Sequence, residues 1–568
     1  MAIPRRVVSN SSRSPTTRQL ESVYNKVETT RRNRALMILG TASHVGKSML
    51  TAGLGRVFAD EGYRVAPFKA QNMSLNSAAT PDGGEIGRAQ ALQAEACRAI
   101  PCVEMNPVLL KPSTDTGAQV ILLGKIWGQV TASDYHTRRV EQLFPLVFSA
   151  YQRLAADYDL ILLEGAGSPA EINLREHDIV NMRMAHAADA VCLLIGDIDR
   201  GGVFASLLGT MQLLEAEDRA RIRGFVINKF RGDGSLLRPG IATMEDRLGL
   251  PCLGVVPFLH DLGLDEEDGV ALEDRPSAPR RWKVHETGPA RTLRVGVIVL
   301  PHMANFTDFD ALGAEPSVSL AYLEQPGEMV AADLLVLPGS KQTLDDLRWF
   351  ERRGFAEELR CLHGMGVPIV GICGGFQMLG VSIEDPHGIE NQGEPCNRTG
   401  LALLPVRTVL QAEKTVGRVR GCLRSNLFGT GFATETHFAG YEIHVGETVY
   451  ESGARPLADI ERRGSMESVA DGAVNESGRI FGTYVHGLFD NDDFRHLFIQ
   501  AARTAVGLAP ASTWAYVAAE CEARIDRLAC HLRKSLDMNQ IKSWIVDPSG
   551  RKPDNHTGTG PGGKSNDI

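Results

Sequence analysis

The sequence predicts an α/β protein with two parallel-sheet domains, each with helices on both faces of its sheet. The chain has 568 residues, more than a single hydrophobic core usually organises. Short apolar runs typical of buried strands alternate with helix-like runs in both halves. A polar stretch containing Pro and Gly, residues 260–292, separates the halves. In such folds the functional loops gather at the carboxyl ends of the strands.

These features predict six segments. In order they are a disordered basic arm (1–34), a first α/β domain (35–258), a linker (259–290), a second α/β domain (291–500), a helical segment (501–546) and a disordered tail (547–568). The arm carries seven Arg and one Lys against two Glu, and it lacks the apolar core of a secretory signal. The helical segment has an apolar stripe that indicates core packing, formed by Ala518, Cys521, Ile525, Leu528 and Leu532.

Composition narrows the class of protein. A formal charge of −9 argues against a large nucleic-acid-binding surface. No apolar run approaches the 18 residues of a membrane span. The ten cysteines show neither a C-x-x-C pair nor a zinc-binding spacing, which indicates free thiols and a cytoplasmic location. The composition is compatible with a homo-oligomer and does not determine the oligomeric state.

A phosphate-binding loop is predicted near the start of the first domain. The apolar strand Ala35–Leu39 leads into Gly40-Thr-Ala-Ser-His-Val-Gly46-Lys47-Ser48, and a helix-like run follows to Asp60. In such a loop the backbone N–H groups surround phosphate oxygens, the Lys pairs with them, and the Ser hydroxyl reaches Mg²⁺. Five residues rather than four separate the two glycines, so the spacing departs from the strict motif. The predicted ATP contacts here are Gly40, Thr41, Gly46, Lys47 and Ser48.

Polar residues at other strand ends extend this predicted site. Glu164 ends an apolar strand that starts near Tyr158, and we assign it to Mg²⁺ together with Ser48. Asn228 ends the strand that begins at Phe225, and it is assigned to the nucleotide. Five further residues are assigned to substrate or nucleotide contact: Lys69, Gln71, Asn72, Asp197 and Asp199.

The second domain contains a candidate nucleophile, Cys373. An apolar strand runs into Gly371-x-Cys373-x-Gly375, and a helix-like run follows. This is the nucleophile-elbow pattern with cysteine in place of serine. The elbow holds the thiol at the end of a sheet and beside a helix N-terminus, where the thiolate is favoured. The competing interpretation is a buried structural cysteine.

His486 is the candidate base. It follows the strand-like run Phe481–Val485, more than a hundred residues after the cysteine. Cys/His pairs are normally adjacent in space rather than in sequence. We therefore predict that His486 exchanges a proton with Cys373.

Region 291–500 resembles the class I (triad) glutamine amidotransferase domain. The elbow and the strand-end His486 match the Cys and His of that family. The resemblance implies an oxyanion hole from the backbone of Gly339 and Ser340, with the Gly374 N–H as a further donor. Those domains usually carry a Glu two residues after the His, where this chain has Leu488. The orienting acid is therefore absent or supplied from elsewhere.

Region 35–258 resembles the dethiobiotin synthetase-like P-loop fold. The phosphate-binding loop and four further runs together resemble the cobyric acid synthase family, over about residues 35–500. These runs are Lys69–Asn76, Asp197–Ala205, Pro301–Asp310 and Gly440–His444. The resemblance implies glutamine, ATP and a corrinoid as substrates, with Mg²⁺ as activator and no tightly bound prosthetic group. It implies amidation of the b, d, e and g carboxylates of adenosylcobyrinic acid a,c-diamide, in cobalamin biosynthesis.

Two alternatives accompany this interpretation. One is cobyrinic acid a,c-diamide synthase or another amidotransferase. The other is a ParA-like ATPase switch whose amidotransferase-like domain is inactive, and the missing Glu at position 488 favours it.

Overall fold

A computed structural model describes residues 34–545 of the chain. Within this range it leaves out residues 115–116, 132–134, 136–139, 261, 265–281, 283–287, 392, 432–434, 464 and 466. Nearly all of the predicted arm, much of the linker and the whole predicted tail therefore lie outside the described residues.

The first domain is built on a six-stranded parallel sheet, as predicted. The strands of this domain are β1 (Arg34–Gly40), β2 (Val65–Phe68), β3 (Gln71–Met73), β4 (Ser77–Ala79), β5 (Glu85–Gly87), β6 (Val108–Thr114), β7 (Gly117–Leu122), β8 (Lys125–Thr131), β9 (Leu160–Glu164), β10 (Val191–Asp197), β11 (Ile222–Phe230) and β12 (Cys252–Pro257). The main sheet has the order β12–β11–β10–β1–β9–β2. Its central strands are continuous apolar runs because helices cover both faces.

Helices flank this sheet. They are α1 (Lys47–Asp60), α2 (Arg88–Ala96), α3 (Val140–Asp157), α4 (Met182–Ala187), α5 (Val203–Leu213), α6 (Ala216–Arg221) and α7 (Gly234–Leu248). Strands β3, β6, β7 and β8 form a separate small sheet, and β4 pairs with β5 in a short hairpin. The sequence patterns did not predict either of these.

The second domain contains another mainly parallel sheet. Its strands are β13 (Leu293–Ile298), β14 (Met303–Ala304), β15 (Val318–Leu323), β16 (Leu334–Leu337), β17 (Gly339–Ser340), β18 (Ile369–Ile372), β19 (Ser382–Asp385), β20 (Cys396–Thr399), β21 (Val406–Leu423), β22 (His437–Tyr450), β23 (Ala458–Arg462), β24 (Ser468–Asp471), β25 (Ala473–Val474), β26 (Ile480–Thr483) and β27 (Val485–His486). The order of the main sheet is β15–β13–β16–β18–β26–β25, and only the β25–β26 pairing is antiparallel. The two mainly parallel sheets confirm the predicted fold class.

A second, seven-stranded sheet lies beside it. The long antiparallel pair β21 and β22 forms its centre, and β27 joins the edge of β22. The helices of this domain are α8 (Asp310–Gly313), α9 (Thr343–Arg352), α10 (Phe355–Gly364), α11 (Gly374–Leu379) and α12 (Asp492–Ala505).

The last two helices return to the first domain. They are α13 (Val517–Ser535) and α14 (Met538–Ile545). The buried face of α13 carries Ile525, Leu528 and Leu532, which belong to the same hydrophobic cluster as Leu54 of α1. Three residues of the predicted stripe are thus core packing and Cys521 is partly buried against the same cluster, whereas Ala518 is exposed.

The hairpin β4–β5 contacts the second domain directly. The backbone N–H of Ser77 donates to Asn305 Oδ1 (3.0 Å). Lys414 of β21 forms an ion pair with the buried Glu85 (2.6 Å), and the Arg418 guanidinium donates to the Ala79 carbonyl (3.2 Å). These contacts join the two domains.

Two predictions about the chain as a whole can be compared with the described residues. Among them, no helix is long and apolar enough to cross a membrane. All ten cysteines lie in the described part of the chain, and each is a free thiol.

Candidate active sites

The loop between β1 and α1 has the backbone of a phosphate-binding loop. Gly46 caps α1 with a left-handed conformation (φ 96°, ψ 23°), which favours glycine. A Cβ on Gly46 would lie 2.3 Å from Asn228 Nδ2, so no larger residue fits there. The side chain of Asn228 donates to the Val45 carbonyl (2.8 Å) and thereby supports the loop. Asn228 thus lies against the loop itself, and its assignment to the nucleotide stays a prediction.

Lys47 and Ser48 begin α1 and face the ends of neighbouring strands. Lys47 Nζ donates to the carbonyls of Ala42 (3.0 Å) and Gly167 (3.2 Å). Ser48 Oγ donates to Glu164 Oε1 (2.8 Å), at the end of β9. The loop, the ammonium group and the carboxylate therefore meet at one edge of the sheet, and their roles toward ATP and Mg²⁺ stay predictions.

Glu164 is the centre of a buried polar cluster. Its side chain is 1 % exposed and accepts hydrogen bonds from Lys69 Nζ (3.1 Å) and Gln93 Nε2 (2.6 Å), besides Ser48. Lys69 thus lies beside the predicted metal ligands, and its contact with substrate or nucleotide stays a prediction. Gln93 is an addition that no sequence signal indicated, since it lies inside a helix without any motif.

The donor set at this edge fits Mg²⁺. This ion usually takes one or two carboxylates together with phosphate oxygens and water. The Ser48 hydroxyl and the Glu164 carboxylate form such a pair beside the loop. Among the described residues no cluster of three or more His, Cys, Asp or Glu could hold a metal. A magnesium ion here would take its other ligands from phosphate oxygens and water.

The remaining predicted contacts divide into two groups. Asp197 lies at the end of β10 and its carboxylate is 3.5 Å from Lys229 Nζ, whereas Asp199 pairs with Arg231 (3.0 Å). Gln71 and Asn72 lie instead on β3, in the small sheet: Gln71 is hydrogen-bonded by Tyr135, and the buried Asn72 donates to Gln90 (2.8 Å). The two groups have separate partners, and their contact with substrate or nucleotide stays a prediction.

Cys373 occupies a strained turn between β18 and α11. Its φ of 48° and ψ of −107° are rare for a residue with a side chain and typical of a nucleophile elbow. A Cβ on Gly375 would lie 2.1 Å from the Leu337 carbonyl oxygen, and a Cβ on Gly371 would lie 2.8 Å from the Phe376 N. Both flanking glycines are therefore needed for the turn. The thiol is 7 % exposed and lies 3.8 Å from the Ile443 carbonyl oxygen.

His486 ends β27 beside this thiol. Its Nδ1 is 2.6 Å from Asp308 Oδ2, and the other oxygen of Asp308 accepts the Gly487 N–H (3.0 Å). The ring stacks on Tyr441, with centroids 5.5 Å apart. With Nδ1–H directed at the carboxylate, Nε2 is the ring nitrogen available to the thiol.

The charge of Asp308 controls the protonation of His486. Burial by itself would lower the pKa of His486, because a buried imidazolium loses its hydration. The charge of Asp308, its hydrogen bond and the neighbouring Cys373 outweigh burial and raise this pKa to about 10. The imidazolium, which is the proton-donating form, is thus stabilised.

Asp308 is the site residue that sequence reasoning missed. It lies 178 residues before His486, in the 3-10 turn Phe306–Phe309. It occurs within the run Pro301–Asp310, which contributed to the family resemblance without any assigned role. Leu488, where the usual Glu was missing, is a buried apolar residue. The structure therefore supplies a carboxylate from elsewhere in the chain.

The predicted oxyanion-hole residues come together beside the elbow. A Cβ on Gly374 would lie 2.8 Å from the Ser340 backbone N, so the two loops touch because Gly374 has no side chain. A Cβ on Gly339 would lie 3.3 Å from His486 Cε1 and 3.9 Å from Cys373 Cβ. The Ser340 hydroxyl donates to Asp346 (2.6 Å), so the predicted oxyanion donors are backbone N–H groups and not this hydroxyl. Their role in stabilising an oxyanion stays a prediction.

Comparison with known proteins agrees with both halves of the chain. Residues 36–272 match the CobQ/CobB/MinD/ParA nucleotide binding domain, and residues 294–494 match the CobB/CobQ-like glutamine amidotransferase domain. Similar proteins include the cobyric acid synthases of Moorella thermoacetica (46 % identical), Syntrophobacter fumaroxidans (44 %) and Salmonella heidelberg (47 %). These alignments cover 89 %, 90 % and 89 % of this chain, and 96 %, 99 % and 97 % of the respective relatives.

Proposed function

The chain belongs to the cobyric acid synthase family, and from this premise we propose that it uses ATP and glutamine to amidate corrinoid side-chain carboxylates in cobalamin biosynthesis. Its acceptor is adenosylcobyrinic acid a,c-diamide, its product is adenosylcobyric acid, and the four amidated positions are b, d, e and g. The similarity along nearly the whole length of the relatives is the observation that carries this proposal.

Glutamine hydrolysis takes place in the second domain. Cys373 Sγ attacks the side-chain amide carbon, and the resulting oxyanion is stabilised by the backbone N–H groups of the Gly339–Ser340 loop and Gly374. His486 donates its proton to the amide nitrogen, which leaves as ammonia and breaks the C–N bond. Water then attacks the thioester carbon, His486 takes its proton, and glutamate and the free thiol are released.

Acyl activation takes place in the first domain. The loop from Gly40 to Gly46 holds the ATP phosphates with its backbone N–H groups, and Lys47 pairs with the transferred phosphoryl group. Ser48 and Glu164 would hold Mg²⁺, which would supply positive charge against the phosphates. A corrinoid carboxylate oxygen takes the γ-phosphoryl group, and ADP leaves. Ammonia attacks the acyl phosphate, so that phosphate is displaced and the amide forms.

Asp308 supports an active amidotransferase domain over an inactive one. The inactive alternative drew its support from the missing Glu at position 488. The carboxylate beside His486 Nδ1 provides the interaction that this Glu would make, from a different part of the chain. Catalysis requires a carboxylate beside the histidine ring, and this carboxylate can come from any part of the sequence.

Incubating the purified protein with ATP, glutamine and the a,c-diamide tests the proposed function. We expect mass spectrometry of the corrinoid to show four successive mass steps, each of one amidation. Cobyrinic acid offered as the acceptor distinguishes the diamide synthase alternative. Two amidations of cobyrinic acid, with none of the a,c-diamide, would contradict the proposal.

The variant Asp308→Asn tests the positioning role of this carboxylate. It keeps the size of the side chain but removes the charge, so we expect glutaminase kcat to fall by about 10²–10⁴-fold. The pKa of His486 should also fall. Because the proton-donating form is then lost at a lower pH, the alkaline limb of the kcat/KM profile should move toward neutral pH.

The control for this variant is Asp345→Asn, an exposed aspartate in the same domain that pairs with Arg348. It should retain the parent rate and the parent pH profile. Unchanged glutaminase activity and an unchanged pH profile in Asp308→Asn would contradict the positioning role.

A further inference from the structure

One segment of the first domain lies against the surroundings of His486. It comprises the hairpin β4–β5 and the first residue of α2, residues 77–88, and is called the hairpin segment below. Three of its residues, Ser77, Ala79 and Arg88, contact three different neighbours of His486 in the second domain. The glutaminase site is therefore bordered by residues of both domains.

The first contact holds the turn that carries Asp308. The Ser77 N–H donates to Asn305 Oδ1 (3.0 Å), and Asn305 is 3 % exposed. Asn305 caps the 3-10 turn Phe306–Phe309, and its carbonyl accepts the N–H of Asp308 (3.0 Å). The hydrogen bond from the first domain therefore fixes the start of the turn whose carboxylate contacts His486.

The second contact lies against the ring on which His486 stacks. Ala79 of the hairpin segment, Tyr441 and Ile443 are buried and form a small hydrophobic cluster across the domain boundary. Tyr441 stacks on the imidazole ring, with centroids 5.5 Å apart and planes at 22°. The Ile443 carbonyl oxygen lies 3.8 Å from Cys373 Sγ. Ala79 thus packs on one residue that contacts the base and on another that contacts the nucleophile.

The third contact reaches the turn after His486. Arg88 pairs with Asp490 (3.6 Å), and the N–H of Asp490 donates to the Gly487 carbonyl (3.1 Å). Gly487 follows His486 directly, and its own N–H donates to Asp308 (3.0 Å). The hairpin segment therefore contacts the chain both shortly before Asp308 and shortly after His486.

An ion cluster anchors the hairpin segment to the second domain. Glu85 is 1 % exposed and pairs with Lys111 of β6 and with Lys414 of β21. Burial by itself would raise the pKa of Glu85, but the charges and hydrogen bonds of the two lysines outweigh burial and lower it. Lys111 Nζ also donates to Ser77 Oγ (2.8 Å). The buried carboxylate is thus ionised and bonded to one cation from each domain, which holds the hairpin in place.

We propose that the hairpin segment is a positioning element of the glutaminase site, which holds the imidazole of His486 and the thiol of Cys373 in the geometry that hydrolyses glutamine. This proposal rests on the proposed function, in which these two residues hydrolyse glutamine. The segment acts through Asn305, Tyr441 and Asp490. Because proton transfer requires hydrogen-bond distance, loosening any of these contacts lowers the rate of the chemical step.

The variant Asn305→Gly tests the first contact. It removes the acceptor of the Ser77 N–H and keeps the left-handed backbone (φ 52°), which glycine adopts readily. Glutaminase kcat should fall by about 3- to 10-fold, the range of one lost hydrogen bond, with little change in KM for glutamine. As Asp308 becomes less well held, the pKa of His486 should fall, and the alkaline limb of the kcat/KM profile should move toward neutral pH. Asn305→Asp retains an acceptor oxygen and should recover most of kcat.

Two further variants test the other charged contacts. Arg88→Met removes the partner of Asp490 and should lower glutaminase kcat by about 2- to 5-fold, the range of a partly exposed ion pair. Lys414→Met breaks the anchoring cluster while Glu85 keeps its other lysine, and the loss should be larger because this ion pair is buried. Corrinoid amidation driven by ammonium should stay near the parent rate in both variants, since that reaction uses neither the thiol nor the imidazole.

Two exposed residues of the first domain provide controls. Arg98→Met and Lys125→Met remove equivalent charges outside the hairpin segment, and both activities should stay at the parent rate. Parent-level glutaminase kcat with an unchanged pH profile in Asn305→Gly and Lys414→Met would overturn the proposal. Equal losses of glutamine hydrolysis and ammonium-driven amidation would also overturn it, because that pattern indicates a general loss of structure. A parent protein that hydrolyses glutamine but amidates no corrinoid with ammonium would contradict the proposed function alone, since the glutaminase measurements still test the positioning role.

Discussion

Cys373→Ala is expected to abolish amidation driven by glutamine and to leave amidation driven by high ammonium concentrations. The thiol is the group that attacks the amide, and its elbow lies in the second domain, apart from the phosphate-binding loop. Ammonium salts supply ammonia directly, so the ATP-dependent half of the reaction proceeds without the thiol. Corrinoid amidation with each nitrogen source, measured side by side, provides the comparison.

Two further variants calibrate this result. His486→Ala should retain some glutaminase activity, since a thiolate at a helix N-terminus is partly activated without its base. A loss of about 10²–10⁴-fold is typical of a missing general base. Cys361→Ala, at an exposed cysteine of α10, should keep the parent rate. Parent-level glutamine hydrolysis by Cys373→Ala would refute the assignment of the nucleophile.

The strand-turn-helix elements of both sites could be predicted from the sequence because their signals are local. The apolar run Ala35–Leu39 became β1, and the predicted helix to Asp60 is α1. Glycines on each side of Cys373 predicted the sharp turn, which their contacts now explain. A parallel strand covered on both faces needs an uninterrupted apolar run, so these elements are visible in a single sequence.

Asp308 could not be predicted, because its partner is distant in the chain. It lies in a 3-10 turn, and the pairing of β27 with β22 brings His486 to it. A lone aspartate in a loop has no periodicity or spacing that distinguishes it from a solvated residue.

The long pair β21–β22 was missed for a different reason. Buried and exposed residues do not alternate regularly along these two strands, because part of the pair contacts the hairpin β4–β5 of the first domain. Polar residues such as Lys414 are therefore buried against this hairpin, whereas the two-residue pattern of a strand predicts apolar residues at buried positions. Sequence patterns reflect burial against a core more clearly than burial against another domain.

The contact between the domains lies next to Asp308, whose carboxylate contacts His486. Asn305 accepts the Ser77 N–H from the first domain and stands three residues before Asp308. It adopts a left-handed conformation (φ 52°), which an asparagine tolerates better than most residues. The turn that positions His486 is thus attached to the ATP-binding half of the chain.

Lys47→Ala is expected to abolish corrinoid amidation with glutamine and with ammonium salts alike, by about a thousandfold or more. Lys47 is the cation of the phosphate-binding loop, and without it the transferred phosphoryl group loses a charge partner in both cases. Lys47 Nζ donates to the carbonyls of Ala42 and Gly167 beside the phosphate-binding loop, and we expect the fold to remain intact without it. Unchanged circular dichroism and unchanged glutamine hydrolysis would verify this.

Lys534→Ala, at an exposed position of α13, is the matched control and should behave as the parent. Ammonium-driven amidation at the parent rate in Lys47→Ala would show that this loop does not activate the carboxylate.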